Sequence, residues 1–156
     1  MSKNLEIDNI DLKILSLLSE DAKIPYTEIA KKVYVSGGTV HVRMRKMEEM
    51  GIVKGTTLNM DYSKLGYDIT AFLGVYLEKS SMYDEVVDEL KKVQEVVKIH
   101  YTTGNYSIFV KIHCKDTKNL REVLHDKIQK IDGIVRTETI ISLEESLNRH
   151  IQLDEQ

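Results

Sequence analysis

Apolar residues recur at helical spacing three times in the first fifty positions. Ile10, Ile14, Leu17 and Leu18 fall at i, i+4, i+7 and i+8, which predicts a helix over 8–20 with Asp8 as its cap. The stretch EDAKIP interrupts the pattern, and Pro25 has a fixed φ that suits a helix start. Ile29, Ala30 and Val33 mark one face of a short second helix. After the turn YVS, Ser36 is placed to cap a third, in which Val40, Met44 and Met47 lie at i, i+4 and i+7 and Gly51 follows the end. Residues 52–58, with Thr56 and Thr57, are β-like. Three short helices followed by a β-wing outline a winged helix-turn-helix.

NMDYSKLG, residues 59–66, breaks the periodicity and reads as a linker. Beyond it the period switches between 2 and 3.6. Ile69, Ala71, Leu73, Val75 and Leu77 alternate as a strand, and Tyr83, Val86, Val87, Leu90 and Val93 return to helical spacing. Val96, Val97, Ile99 and Tyr101 suggest a second strand, TTGN a turn, and Tyr106 through Cys114 a third strand. Leu120, Val123, Leu124, Ile128 and Ile131 give a second helix, Asp132-Gly133 a turn, and residues 134–143 a fourth strand. The order is βαββαβ, the split pattern of ferredoxin-like folds. A weak echo between KVQEVVKIHYT and KIQKIDGIVRT fits two βαβ halves.

The fold class expected is therefore α+β. A winged helix-turn-helix spans 1–58, the linker 59–66, a ferredoxin-like domain 67–146 and a tail 147–156. In such a fold the helices cover one sheet face. Thr70, Phe72, Gly74, Tyr76, Ser107, Phe109 and Lys111 would lie on the other, and its aromatic content predicts a second subunit against it.

Composition narrows the function classes. The 156 residues are 42% hydrophobic and 30% charged, a globular balance. No apolar run approaches the roughly 20 residues of a membrane helix, and MSKNLEIDNIDLK has no signal-peptide core. With a single cysteine, Cys114, the expected compartment is the cytoplasm. The net charge of −3 argues mildly against nucleic acid, but its distribution argues for it. Between Ser36 and Met47 stand Arg43, Arg45, Lys46 and His41 with no acid, while acids gather at 84–89 and in the tail.

The helix SGGTVHVRMRKMEEMG therefore has three readings. A catalytic phosphate loop requires GxxxxGK[ST] after a strand; here helix and turn precede the glycines and no Lys-Ser or Lys-Thr follows. A solvated basic face is the bland reading. The third is a helix in the DNA major groove, read near its N-terminal end. Gly37 and Gly38 would let a phosphate approach the first N–H groups, and Arg45 would fork onto a guanine edge or a phosphate. The candidate DNA contacts are Ser36, Gly37, Gly38, Thr39, His41, Val42, Arg43, Arg45 and Lys46. The five histidines lack metal-ligand spacing, and no catalytic constellation stands out, so neither a metal nor an enzyme is expected.

The segments IDNIDLKILSLLSEDAK, PYTEIAKKVYVS, GTVHVRMRKMEEMGIVKG and YTTGNYSIFVKI together resemble the Lrp/AsnC family of bacterial and archaeal transcription regulators over roughly residues 6–146. TVHVR and YTTG-YSIF resemble its asparagine-responsive AsnC branch. The resemblance implies a DNA-binding winged helix-turn-helix and an effector-binding RAM domain. It also implies dimers formed through the RAM sheets, often assembled into octamers, with an amino acid bound between dimers near the glycine turn. Many members carry proline after the serine cap; here Gly37 stands there, which loosens the helix start by ~1 kcal/mol.

The turn TTGNYS is by itself readable as an ordinary hairpin. Its hydroxyls and backbone N–H groups also suit a small carboxylate, and the resemblance favours that reading. The candidate effector contacts are Tyr101, Thr102, Thr103, Gly104, Asn105, Tyr106 and Ser107, with Gln129, Asp132, Thr137 and Thr139 as further polar groups. The function expected is a sequence-specific DNA-binding regulator that senses an amino acid, asparagine in the first instance, with no other cofactor. The alternatives are a stand-alone amino-acid sensor acting through protein contacts, and a small ferredoxin-like enzyme.

Overall fold

The structure is a computed structural model that describes residues 6–153. The first five residues of the expected DNA-binding domain and the last three of the tail lie outside that range. The chain forms two compact units. One holds the residues up to Asn59 together with those from Leu147, and the other runs from Met60 to Ser146.

In the first unit, α1 spans Asn9–Glu20, α2 Tyr26–Val33 and α3 Gly37–Glu49. Asp8 and Asp11 close a reciprocal capping box on α1: the Asp11 N–H donates to Asp8 Oδ1 at 2.9 Å and the Asp8 N–H to Asp11 Oδ2 at 3.1 Å. Ile14, Ile24, Ile29, Ala30, Val33, Val40, Met44 and Met47 form the core. The pattern had marked all but Ile24 as inward.

The first turn of α3 is formed despite its two glycines, because Ser36 Oγ accepts the Thr39 N–H at 3.1 Å. Residues 52–58, read as β-like, pair with no strand. The N–H groups of Ile52 and Val53 instead donate to the Met47 carbonyl at 3.0 and 3.2 Å, and most of the segment is exposed. β propensity without a neighbouring strand leaves the ladder groups to water.

The second unit carries β1 (Ile69–Leu77), α4 (Tyr83–Leu90), β2 (Val96–Tyr101), β3 (Ile108–Cys114), α5 (Thr117–Glu122) and β4 (Ile134–Ser142). All neighbours are antiparallel, in the order β2-β3-β1-β4. This is the ferredoxin-like arrangement expected. The alternating residues Ala71, Leu73 and Val75, with Ile108, Val110, Ile112 and Cys114, turn inward onto Val86, Leu90, Val123 and Ile128.

Several boundaries differ from the pattern: α4 ends at Leu90 rather than at Val93, and β4 ends at Ser142. β3 begins at Ile108, since Tyr106 and Ser107 belong to the turn. α5 runs on as a π-helix over Val123–Ile128. Its i→i+5 winding lets Val123 and Ile128, five positions apart, both bury completely.

The face away from the helices carries the expected aromatics. Phe72 and Phe109 stack at 5.8 Å, with Lys111 Nζ above the Phe72 ring at 5.9 Å.

Candidate DNA interface and effector turn

With Val40, Met44 and Met47 buried, the opposite face of α3 carries Gly38, Val42, Arg45 and Glu49, at i, i+4, i+7 and i+11. Val42 is 70% exposed. Arg45, with 81% of its side chain exposed, pairs with Glu49 at 3.1 Å. Such an exposed pair contributes about 0.3–0.5 kcal/mol, so it holds the guanidinium only weakly. His41 is also exposed, its ring edge-on to Tyr26 at 4.6 Å.

Arg43 and Lys46 differ from the other candidates. They lie on the flank of α3 that faces α1 and the chain before it. Arg43 Nη1 donates to Asp8 Oδ2 at 2.7 Å and to Asp11 Oδ1 at 2.9 Å. Asp11 is fully buried, and nothing in the apolar pattern marked it. Lys46 Nζ donates to the Glu6 carbonyl at 2.8 Å. Charge alone does not show direction: Arg43, beside the buried stripe, is turned onto Asp8 and Asp11 and is partly buried, whereas Lys46 stays exposed while it holds the chain before α1. The Arg43 hydrogen bond holds the Asp8 carboxyl below the ordinary carboxylate range, helped by the Asp11 N–H. Asp8, Ser36, Gly38, Thr39, Val42, Arg43 and Lys46 line one shallow depression.

In the second unit, residues 102–107 form a closed turn. The Thr102 hydroxyl donates to the Tyr106 carbonyl at 2.9 Å, the Thr102 N–H to the Ser107 carbonyl at 3.1 Å, and the Ser107 N–H to Val75 of β1 at 3.2 Å. Gly104 sits at φ +97°, a conformation that residues with a side chain rarely adopt. Thr103, Gly104 and Asn105 are exposed, and the Tyr101 ring leans on Tyr83 at 4.4 Å.

Tyr106 leaves the turn to lie across the open sheet face. A Cβ at Gly74 would stand 2.3 Å from its Cδ1. Its hydroxyl donates to Glu138 Oε2 at 2.7 Å, and the Tyr76 hydroxyl to Glu138 Oε1 at 3.0 Å. Arg136 pairs with Glu138 at 3.2 Å and covers the Tyr76 ring at 4.1 Å. Glu138 is held below its ordinary pKa by the two phenols, and the Tyr106 phenol above its own by the carboxylate. Arg136 and Glu138 were missing from the sequence candidates. Alternation along β4 was the available signal, since it places them opposite Tyr76 and Gly74.

Thr137 and Thr139 pair with Val75 and Leu73, so they occupy the helix-facing side of the edge strand, two strands across from the turn. Gln129 and Asp132 are exposed between α5 and β4. Asp132 borders a groove with Glu85, Asp88, Lys127 and Lys130, on the helix side. The structure thus gathers 101–107 into one place and leaves these four residues apart from it.

Comparison with known proteins accounts for both units. Residues 7–54 match the family model of a winged helix-turn-helix DNA-binding domain, and residues 70–151 that of the Lrp/AsnC ligand binding domain. The chain is 47% identical over 146 residues to the regulatory protein AsnC of Haemophilus influenzae, covering 94% of this chain and 97% of that one. It is 41% identical over 150 residues to the protein of the same name from Escherichia coli, covering 96% and 99%. The solved structure of Escherichia coli AsnC superposes with a TM-score of 0.90 over 94% of this chain and 99% of that chain, at 41% identity. A Neisseria meningitidis transcriptional regulator in complex with L-Met shares the fold at a TM-score of 0.87, with 19% identity over 92% and 94% of the two chains. These relatives are regulators rather than enzymes, and among the described residues no helix is long and apolar enough to cross a membrane. Outward-facing α3, the ferredoxin-like sheet and the two matched models lead to one assignment: the chain belongs to the Lrp/AsnC family of transcription regulators.

Proposed function

We propose that α3 reads DNA through the row Gly38, Val42 and Arg45, and that the turn 101–107 binds asparagine. The observation that carries the DNA part is an exposed cation and an exposed valine on the face of α3 opposite its buried stripe. Arg45 suits a guanine edge, and Val42 the methyl of thymine. Ser36, Gly37, Gly38 and Thr39 bring first-turn N–H and hydroxyl groups to a phosphate, and His41 stands beside them. Arg43 supports this surface by fixing α3 against the start of α1, and Lys46, exposed beside it, holds the chain before α1.

Two such helices in a dimer enter successive major grooves about one helical turn apart. The stacked face of Phe72 and Phe109 joins the dimer, and dimers assemble further toward an octamer. Asparagine then bridges dimers at the turn, its carboxylate on the backbone around Gly104. It changes DNA binding only by favouring one assembly over another. Gln129, Asp132, Thr137 and Thr139 reach that ligand only from a neighbouring subunit.

A thermal-shift screen of the twenty amino acids tests the effector. Binding to the native state raises stability by about 2.7 kcal/mol at a hundred times the dissociation constant. Asparagine should give the largest rise, and Gly104→Ala should remove it. A flat screen, or a rise that survives Gly104→Ala, refutes the turn as the site.

A further inference from the structure

Tyr34 stands between α2 and α3 in a conformation that its residue type resists. Among the described residues it alone, apart from glycines, has a positive φ, at φ 58° and ψ 45°. That left-handed region crowds Cβ against the following carbonyl and is disfavoured for bulky side chains. The backbone reason for the conformation is plain. Tyr34 caps α2, donating its N–H to the Ala30 carbonyl, and the Val35 N–H reaches the same carbonyl at 3.0 Å. Glycine or asparagine meets that demand with less strain.

The tyrosine ring does not compensate by packing. Val33 on one side is buried and Val35 on the other is packed against the core, while Tyr34 is 94% exposed. A strained residue whose side chain lies in solvent points to a role outside the folded chain.

Its surroundings indicate which. Lys31 and Lys32 occupy the turn of α2 just before it, and the Ser36 cap of α3 lies two residues after it. Ser36 and Thr39 present hydroxyls 2.8 Å apart at that same helix start. Where the third helix enters the major groove, the helix before it crosses the phosphate backbone. A tyrosine hydroxyl is a usual neutral donor to phosphate oxygen. We infer that Tyr34 is a DNA-backbone contact, its phenol donating to a phosphate beside the groove entered by α3. The inference rests on α3 as the DNA-reading helix.

The test compares full-length wild type, Tyr34→Phe, Tyr34→Gly and Arg45→Ala. Each is titrated by fluorescence anisotropy against a duplex selected by the wild type from a random-sequence pool, and against unselected duplex. Thermal midpoints are measured in parallel. Tyr34→Phe should bind both duplexes roughly tenfold more weakly, with an unchanged midpoint and an unchanged salt slope, since the donor is neutral. Tyr34→Gly should show the same loss while its midpoint rises by about 2–4 °C as the strain is released.

Wild-type affinity in Tyr34→Phe overturns the inference. So does a loss of affinity accompanied by a lowered midpoint, which marks a structural role. If Arg45→Ala weakens binding and Tyr34→Phe does not, only the Tyr34 contact fails. If neither weakens it, the reading of α3 fails with it.

Discussion

Arg43 and Arg45 lie two residues apart on one helix and should respond oppositely to the same substitution. Arg43→Met keeps the aliphatic stem and removes the guanidinium. Arg43 Nη1 lies 2.9 Å from an oxygen of Asp11, whose side chain is 0% exposed, while the arginine itself is 23% exposed. Removing one partner of a buried pair costs 3–5 kcal/mol when both are buried. With Arg43 partly solvated and Asp11 still donated to by the Asp8 N–H, about 2–3 kcal/mol is expected. Arg45→Met breaks only the exposed pair with Glu49 and should cost about 0–0.5 kcal/mol.

On DNA the order reverses. Arg45→Met should lose about 1–3 kcal/mol of affinity and reduce the salt slope by about 1, whereas Arg43→Met, once folded, should bind with wild-type salt slope. Urea unfolding followed by helical circular dichroism measures the first quantity, and anisotropy titrations at several salt concentrations the second.

The ion pair also sets a pH dependence. The folded carboxyl of Asp8 titrates below its ordinary value because Arg43 donates to it. Its contribution is complete above the unfolded pKa, about 3.9, and is lost as pH falls through the lower folded value. The stability gap between wild type and Arg43→Met should therefore narrow below about pH 4. An unchanged urea midpoint in Arg43→Met, with a reduced salt slope on DNA, would show that Arg43 faces the nucleic acid and refute this division of roles.

Two further substitutions probe close contacts. Gly74→Ala places Cβ 2.3 Å from the Tyr106 ring, which Glu138 holds by its hydroxyl, and should cost about 1–3 kcal/mol. In a double-mutant cycle that cost should largely vanish in a Tyr106→Ala background, and simple additivity would mean the ring does not lie over Gly74. Gly37→Ala meets no atom within 4 Å and should stabilise the first turn of α3 by about 0.4–1 kcal/mol. If the glycine admits a phosphate, the same variant should bind DNA more weakly, and unchanged affinity would remove Gly37 from the interface.

Much of the fold was legible because local and tertiary demands agree. Asp8, Ser36 and the i, i+4, i+7 stripes fix α1 and α3, and strict alternation fixes β1 and β3, whose inward residues are buried apart from Ile69 and Leu77 at the strand ends. What escaped depends on neighbours distant in the chain. Residues 52–58 have β-like composition, but a strand exists only where another chain segment offers a ladder. The π-helix after α5 follows from where Val123 and Ile128 must meet the sheet. Nothing in the apolar pattern marks Asp11; its burial comes from Arg43, 32 residues later, being brought against it. Charge density locates the basic helix, but only contacts with residues distant in the chain show that Arg43 turns back onto Asp8 and Asp11 while Arg45 stays exposed. The turn around Gly104 was legible as a turn, while Arg136 and Glu138 required the register of β4 against β1.

The most direct test is a DNA titration with and without effector. A labelled duplex from the region upstream of the protein's own gene is titrated with full-length protein at fixed salt, first alone and then with each of the twenty amino acids at saturating concentration. The account predicts tighter binding than to random duplex and a displaced isotherm with asparagine. Because linkage is reciprocal, the apparent affinity for asparagine should shift equally when DNA is present. An isotherm matching that of random duplex, or one that no amino acid displaces, would contradict it.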